Sequence, residues 1–295
     1  MNVRMPAAIG FYDGRASTCL RDARALLEAV RVPGDLPPGR CGGIVPHAGW
    51  AYSGALAALA MKALHEEAPL TCVVLFTADH SGRARVGEVY DSGCWRTPLG
   101  DVAIDEPLAR AILAMDPAGA LFAANPAAHA REHSGEVLVP LLQVLSPGVT
   151  IVPIMVPPAP LAVAIGQAVG ALLAREFPDT RVLGSTDLTH HAGGRFPAPG
   201  GRGQAGAKWS AANDKRMLDV IAAMDASGAI EEARRHANAC GAGAIAAAIA
   251  ACGELGAAAG RCVAYTNSYE ITHREDPAEP DDTTVGYASV VFTKG

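Results

Sequence analysis

The chain has 295 residues, of which 50% are hydrophobic and 18% charged, and its formal net charge is −6 at pH 7. This apolar content is enough for a large core and excludes global disorder. The acidic balance argues against a nucleic-acid partner, because a phosphate backbone requires a basic surface. No run approaches the roughly 18–20 apolar residues of a membrane span, and the first residues lack the apolar segment of a secretion signal.

The seven cysteines argue against a disulfide-stabilised fold. Their number is odd, no CxxC pair occurs, and several lie in apolar runs typical of buried strands or helices. Free thiols in such positions are typical of a reducing compartment, so we expect the protein in the cytoplasm.

Short apolar runs alternate with longer alanine-rich stretches along the chain. The apolar runs predict strands buried on both faces, at Cys41–Pro46, Cys72–Thr77, Thr150–Val156, Arg181–Ser185, Cys262–Tyr265 and Val285–Phe292. The other stretches predict helices, at Ser17–Val30, Ser53–Glu66, Glu106–Met115, Glu132–Leu145, Leu161–Arg175, Lys208–Ala223 and Ala239–Ala251. Ser53 is the expected cap of its helix.

This alternation predicts an α/β fold with a largely parallel sheet that helices cover on both sides. Two segments interrupt the pattern, the glycine- and proline-rich Gly193–Gly206 and the acidic His273–Thr283. Both are predicted to be surface loops, because apolar periodicity resumes soon after each. We therefore expect a single domain over residues 1–295.

Polar side chains follow three of the predicted strands directly. His47 and His80 each follow a strand, Asp187 and His190 follow a third, and Cys240 opens a helix whose dipole favours a thiolate. Ligands of open α/β sheets collect beyond the carboxyl ends of the strands. His47, His80 and Cys240 are therefore predicted to converge on one metal ion, with His190 near enough to exchange a proton. Taken singly, each residue also suits a purely structural role.

Two further motifs suggest other chemistries. His129 to His133 fits the HxxEH pattern of zinc proteases, but no neighbouring segment supplies a third ligand. Gly201 to Gly206 fits GxGxxG formally, but a loop of about fifteen residues separates it from the preceding strand, against a dinucleotide site. The glycines there are more consistent with chain flexibility.

Motifs along nearly the whole chain resemble those of the Memo family, in the same order. They are Gly10-Phe11-Tyr12, PHAGW (46–50) with Tyr52-Ser53-Gly54, WRTPLGDVAID (95–105), EHSGEV (132–137), VPIMV (152–156), STDLTHH (185–191), Cys240-Gly241 and VGYASVVF (285–292). The resemblance implies a three-layer α/β sandwich with a central, mostly parallel or mixed sheet, as in class III extradiol ring-cleaving dioxygenases.

The resemblance also implies a site at one end of the sheet. It assigns metal-ligand roles to His47, His80 and Cys240, and an acid–base role to His190 with Asp187 beside it. Glu132 and His133 match the family's EHS element, which places them next to the metal and disfavours the protease interpretation.

The chain departs from the family pattern at two places near this site. The segment TADHS (77–81) keeps the first histidine of a usual His-His pair and loses the second, and it adds Asp79 beside His80. We expect Asp79 to join or orient the metal. Trp50 replaces the usual tyrosine after HAG and is expected to enlarge an apolar wall of the pocket.

The leading functional hypothesis is a non-haem metal site with dioxygenase-like or redox chemistry on a small aromatic or oxygenated substrate. Iron is the first candidate, with copper or zinc as alternatives, because a cysteine ligand makes the site softer than the usual iron site. The alternatives are a non-catalytic metal- or peptide-binding redox scaffold and, third, a metal-dependent hydrolase. The family resemblance further implies companion proteins of bacterial Memo-type systems, and the chain can form an oligomer.

Overall fold

The computed structural model describes residues 2–280 and 282–294. The helices are α1 (Ala16–Ala29), α2 (Trp50–Glu67), α3 (Glu106–Ala114), α4 (Val139–Leu145), α5 (Leu161–Glu176), α6 (Gly203–Ala222), α7 (Ala226–His236), α8 (Ala242–Glu254) and α9 (Ser268–Glu275). The strands are β1 (Val3–Arg4), β2 (Arg40–Val45), β3 (Cys72–Thr77), β4 (Gly87–Val89), β5 (Cys94–Thr97), β6 (Gly100–Ala103), β7 (Phe122–Ala124), β8 (Thr150–Met155), β9 (Thr180–Ser185), β10 (His190–His191), β11 (Ala257–Asn267) and β12 (Thr284–Lys294). Two 3-10 turns, Ala128–Arg131 and Glu136–Leu138, precede α4.

One mixed sheet dominates the described part of the chain. Its strands follow the order β10-β12-β2-β9-β3-β8-β4-β7, and β11 pairs with β12 off this path. The four strands β2, β9, β3 and β8 are mutually parallel, whereas β12 runs antiparallel to β2 and β4 antiparallel to β8. A small separate sheet joins β1, β5 and β6.

Helices flank this open sheet and give the predicted three-layer α/β sandwich. Helix α8 lies against β9, β3 and β2 and is itself covered by α5. On the other face, α2 packs against β2 and β12, and α1 packs against α2. The central strands carry almost only buried apolar residues, because both of their faces meet helices. The predicted fold class is confirmed. Within residues 2–280 and 282–294, no helix has both the length and the apolar character needed to cross a membrane.

The parallel strands at the centre of the sheet place three strand ends side by side. Strand β9 lies between β2 and β3, so the carboxyl ends of these three strands share one edge. His47, Asp187 and His80 come directly after them. This edge therefore collects the polar residues that the sequence places after separate strands.

All six predicted strands are present, and most end within two residues of their predicted limits. The exception is β11, which the sequence predicted only over Cys262–Tyr265 and which extends over eleven residues beside β12. The short strands β1, β4 to β7 and β10 were not predicted. They are too brief to show a period of their own and depend on pairing with neighbours.

The predicted helix over Glu132–Leu145 is wrong in its first half. Residues 132–135 are not helical, and a 3-10 turn precedes the short helix α4. The reason is tertiary: the backbone N–H of Ser134 donates to the carboxylate of Glu132, which also accepts from the backbone of His80. Side-chain hydrogen bonds of this kind compete with the helical ladder.

Other limits also differ: α8 lies three residues later than predicted at both ends, and helices α7 and α9 were not predicted. Helix α2 begins at Trp50, so Ser53 lies inside it and donates from its hydroxyl to the Ala48 carbonyl rather than capping the helix. Helix α6 begins at Gly203 and shortens the first predicted loop. Helix α9 extends to Glu275 and takes the start of the second predicted loop, in which Asp281 lies outside the described residues.

Helices α5 and α8 approach so closely that two positions of α5 have no room for a side chain. A Cβ atom at Gly166 would lie 2.2 Å from the Ala247 carbonyl oxygen, and one at Gly170 would lie 2.4 Å from that of Ala251. Because the obstacles are backbone atoms, they cannot move aside as a flexible side chain could. The glycines of α5 and the alanines of α8 thus set the distance between the outer helix and the sheet.

We expect Gly166→Ala to lower the free energy of unfolding by about 1–3 kcal/mol, the usual cost of overpacking. Gly253→Ala is the matched control, because a Cβ atom at this helical glycine would meet nothing within 4 Å and the change gains helix propensity of about 0.5–1 kcal/mol. Urea unfolding of both variants measures the difference. Equal stabilities would show that α5 and α8 can separate without cost.

Candidate metal centre

The three predicted ligands meet at the carboxyl edge of the parallel strands. One ligand atom each of His47, His80 and Cys240 lies within 4.8 Å of the other two. The Sγ atom of Cys240 is 3.2 Å from Nε2 of His47. The two imidazole rings stand edge to face, with centroids 5.2 Å apart. His47 follows β2, His80 follows β3 and Cys240 precedes α8. Because these positions are far apart in the chain, only the tertiary fold brings them together.

His47 is held in one tautomer by a relay of hydrogen bonds. Its Nδ1 lies 2.9 Å from Oγ of Ser185, and that hydroxyl donates its single hydrogen to the Ser134 carbonyl at 2.7 Å. Ser185 Oγ can therefore only accept from His47, which places the ring proton on Nδ1. Burial, reinforced by the charge of His80, keeps the pKa of His47 well below its usual range. Nε2 is thus unprotonated, and its lone pair faces the Cys240 sulfur, whose thiol hydrogen it can accept.

His80 is oriented by a carboxylate. Its Nδ1 is 2.9 Å from Oε1 of Glu132, and its backbone N–H donates to the second oxygen of the same carboxylate. Burial lowers the pKa of His80, but hydrogen bonds to Cys240 and Glu132 outweigh it and raise this pKa to about 10. A carboxylate on Nδ1 leaves Nε2 as the potential ligand atom, which must lose its proton before it can bind a metal ion.

Cys240 is positioned by the residues that follow β9. Its backbone N–H donates to the Asp187 carbonyl, and the Asp187 N–H in turn points to its Sγ at 3.3 Å. The helix begins at Ala242, two residues after Cys240, with Gly241 as its cap. The expected thiolate is not favoured by this environment: burial raises the pKa of Cys240, and the hydrogen bond to His80 offsets it only in part.

A second group of potential ligands adjoins the first. It consists of His80, Glu132 and His133, whose ligand atoms also lie within 4.8 Å of one another. The His133 ring stacks on His80 with centroids 4.6 Å apart, and its centroid lies 4.5 Å from that of Phe11. Glu132 and His133 therefore lie beside the three-ligand group, as the EHS element implied.

Asp187 and His190 lie close to the same group. Oδ1 of Asp187 accepts from the backbone N–H groups of His47 and Ala48, and its Oδ2 is 3.9 Å from His47 Nε2. Burial raises the pKa of Asp187 to about 7. His190 lies on β10, and its Nε2 is buried without a hydrogen-bond partner within residues 2–280 and 282–294. Burial and the charge of His80 lower its pKa to about 4.

Asp79 and Trp50 both make hydrogen bonds that stabilise the backbone near the site. The carboxylate of Asp79 accepts from the Ser81 hydroxyl and from the Ala84 N–H, so both oxygens stabilise their own loop. Trp50 is buried at the start of α2, where its indole N–H donates to the Val137 carbonyl. It therefore fastens α2 to the segment that follows Glu132.

A buried ion pair that no sequence motif indicated supports the site from below. Arg4 and Glu136 form a fully buried ion pair at 2.7 Å, and Glu136 also accepts from the Tyr12 hydroxyl and from the N–H groups of Ala7 and Ala8. These contacts hold the amino-terminal segment, and with it Phe11, against the ring of His133. Glu136 lies three residues after His133 in an otherwise apolar run, and this isolated charge is the sequence feature that could have predicted a buried ion pair.

The HxxEH pattern does not form a helical zinc site. His129 lies in a 3-10 turn, and its Nε2 contacts the Glu88 carbonyl at 2.8 Å. Its ring is fully buried beside Trp95, away from both groups of potential ligands among the described residues. Glu132 turns instead toward His80.

The fold and the site together define a class: an open α/β sandwich with two histidines and a cysteine at the carboxyl edge of its parallel strands. Comparison with known proteins gives the family. The model of the Memo-like protein family matches residues 11–291, and the chain belongs to this family.

Relatives that are similar over almost their full length support this assignment. The chain is 33% identical to a MEMO1 family protein of Methanopyrus kandleri, covering 99% of both chains. It is 32% identical to one of Methanothermobacter thermautotrophicus, covering 97% of this chain and 99% of that one. A MEMO1 family protein of Pyrococcus abyssi is 30% identical, with 99% and 100% covered.

We expect Glu136→Gln to lower the free energy of unfolding by about 3 kcal/mol or more, because it leaves the Arg4 charge buried without a counter-ion. Asp219→Asn breaks the exposed Lys215–Asp219 pair and serves as the matched control, with little change expected. Thermal and urea unfolding check both variants. A loss no larger than that of the control would contradict a supporting role for Glu136.

Proposed function

We propose that this Memo-like protein holds a divalent or redox-active metal ion with His47, His80 and Cys240 and, where that ion is iron or copper, uses it in dioxygenase-like or redox chemistry. The observation that carries the proposal is the unprotonated Nε2 of His47, which faces the Cys240 sulfur at 3.2 Å. Iron is the first candidate, and copper or zinc are the alternatives, since sulfur and imidazole ligands suit all three.

The donor set fits an ion of this kind. Each histidine has its Nδ1 engaged by a hydrogen-bond partner, Ser185 for His47 and Glu132 for His80. Such partners orient ligand rings, and their loss typically weakens metal binding about 10–100-fold. Three protein ligands leave positions open for a substrate. Bound there, an iron or copper ion would supply redox chemistry and polarise oxygen atoms of the substrate.

The surrounding residues suit proton transfer and substrate binding. His190 is neutral near pH 7 because its pKa is lowered, and its buried Nε2 has no partner within the described residues. It can therefore accept a proton from a substrate hydroxyl. Asp187 positions the His47 backbone, and its second oxygen faces the ring of that residue. The rings of Phe11 and His133 form an aromatic wall suited to a small aromatic or oxygenated substrate.

A non-catalytic metal-binding redox scaffold is the second candidate. Cys240 favours it, because a cysteine in place of a carboxylate makes the site softer and easier to oxidise than an ordinary extradiol iron site. The seven cysteines are all unpaired within the described residues, which is consistent with our expectation of a cytoplasmic protein. Turnover separates the two candidates.

We expect purified, untagged protein to contain iron, copper or zinc by mass spectrometry, and His47→Ala, His80→Ala and Cys240→Ala to lose most of it. The controls are His65→Ala and Cys262→Ala, which remove the same residue types outside both groups of potential ligands. They should retain the metal. Equal metal content in all six proteins would refute the proposed centre.

We expect His190→Gln to keep its metal and to lose oxygen uptake on a panel of catechols by about 10²–10⁴-fold, the usual contribution of a general base. His191→Gln is the neighbouring control, since the His191 ring packs against Trp209. Unchanged uptake in His190→Gln would exclude this histidine as the base. Tight metal binding without any uptake in the unsubstituted protein would favour the scaffold.

A further inference from the structure

A basic cleft lies at the other end of the parallel strands, where β2 and β9 begin. Its volume is about 300 Å³, and its lining includes Arg40, Cys41, Glu67, Arg181 and Lys294. Arg40 is paired with Glu67 at 3.1 Å, which leaves Arg181 and Lys294 as the uncompensated charges of the lining. Cys41 is the thiol of this cleft.

A β-bulge turns Cys41 toward helix α8. Along β12, Phe292 pairs with Gly42 and the next residue pairs with Arg40, so Cys41 is an extra residue in β2. A bulge of this kind re-aims one side chain of a strand. The Sγ atom of Cys41 lies 4.0 Å from the carbonyl oxygen of Cys252, near the end of α8.

Gly42 makes room for the second thiol. A Cβ atom at this position would lie 2.5 Å from Sγ of Cys252, so only glycine allows that sulfur to reach β2. The bulge and the glycine together place the Cys41 thiol against the backbone of Cys252 and the Cys252 sulfur against β2 at the next residue, so the two cysteines are packed against each other. The bulge and the glycine of β2 thus create this cysteine pair, which shares no residue with the candidate metal centre.

The two thiols differ in charge environment. The neighbouring Cys252 side chain, together with the charges of Lys294 and Arg181, lowers the pKa of Cys41 in spite of its burial. Burial raises the pKa of Cys252 far above its usual range. Cys41 faces the cleft and Cys252 is fully enclosed. This asymmetry matches an attacking thiolate with a second thiol behind it.

We propose that Cys41 and Cys252 form an oxidisable dithiol that a peroxide converts to a disulfide. The Cys41 thiolate attacks one peroxide oxygen, the O–O bond breaks, and Cys41 becomes a sulfenic acid while hydroxide leaves and is protonated to water. Sγ of Cys252 then attacks the Cys41 sulfur, the S–O bond breaks, and the departing hydroxide takes the Cys252 proton. Two thiols lose two electrons, and one peroxide becomes two waters.

The product would join the start of β2 to the end of α8. A dithiol reductant reverses it by thiol–disulfide exchange, which releases both thiols. In a reducing compartment such a bond is transient and reports oxidant exposure. The cleft, of about 300 Å³, is large enough for hydrogen peroxide and is lined by Cys41, whereas Cys252 is fully buried and does not line it.

The test treats the folded full-length protein with hydrogen peroxide, blocks remaining thiols with iodoacetamide and maps the peptides by mass spectrometry. We expect a peptide pair linked through Cys41 and Cys252, lighter by two hydrogens and lost after dithiothreitol. Before oxidation, Cys41 should react with iodoacetamide at least about tenfold faster than Cys72, because the pKa of Cys72 is raised to about 12.

Variants separate the two roles. In Cys252→Ser, dimedone should trap Cys41 as a sulfenic acid, whereas in Cys41→Ser the Cys252 thiol should stay reduced. Cys72→Ser is the matched control for a buried strand cysteine and should still form the link. The proposal is overturned if Cys262 oxidises while Cys41 and Cys252 stay reduced. It is also overturned if urea-unfolded protein gives the same link in equal yield, since the fold would then not select this pair.

Discussion

The candidate metal centre depends above all on the hydrogen bonds of Asp187. Its carboxylate accepts from the backbone of His47 and Ala48, its N–H points to the Cys240 sulfur, and its carbonyl accepts from the Cys240 N–H. Asp187, which follows β9, thus joins the end of β2 to the start of α8. The enclosed backbone groups require these partners, because an unpaired buried donor or acceptor costs about 1–3 kcal/mol. The positions of two of the three proposed ligands follow from them.

Small side chains allow this polar edge to coexist with a dense core. The glycines of α5 and the alanines of α8 bring the outer helix, the inner helix and the sheet within van der Waals contact. On the other side of α8, Gly184 of β9 has the same effect: a Cβ atom there would lie 2.7 Å from the Ala244 carbonyl oxygen, so α8 sits close enough to β9 for Cys240 to reach the strand ends. An interior packed this tightly transmits small displacements. The spacing of the helices and the geometry of the site are parts of one arrangement.

The two proposed sites of sulfur chemistry lie at opposite ends of strand β2 and helix α8. His47 and Cys240 lie at the carboxyl edge of the sheet, while Cys41 and Cys252 lie at the opposite end of β2 and α8. The environments differ in the charges around each thiol. A histidine and a carboxylate surround Cys240, whereas two basic side chains lie near Cys41. The metal-binding thiol and the oxidisable thiols that we propose thus lie near opposite ends of one helix and have no residue in common.

The sequence alone determined the α/β class, the main strands, and the identity of His47, His80 and Cys240 as a group, because buried strands and strand-end residues leave a local pattern. It did not reveal the Ser185 to Ser134 relay or the contact of Cys41 with Cys252, since these join residues far apart in the chain. It predicted a helix at Glu132 from local periodicity, and the tertiary hydrogen bonds of that carboxylate prevented it. Tertiary structure decided which polar groups pair, because burial makes each unpaired one costly whatever its local preference.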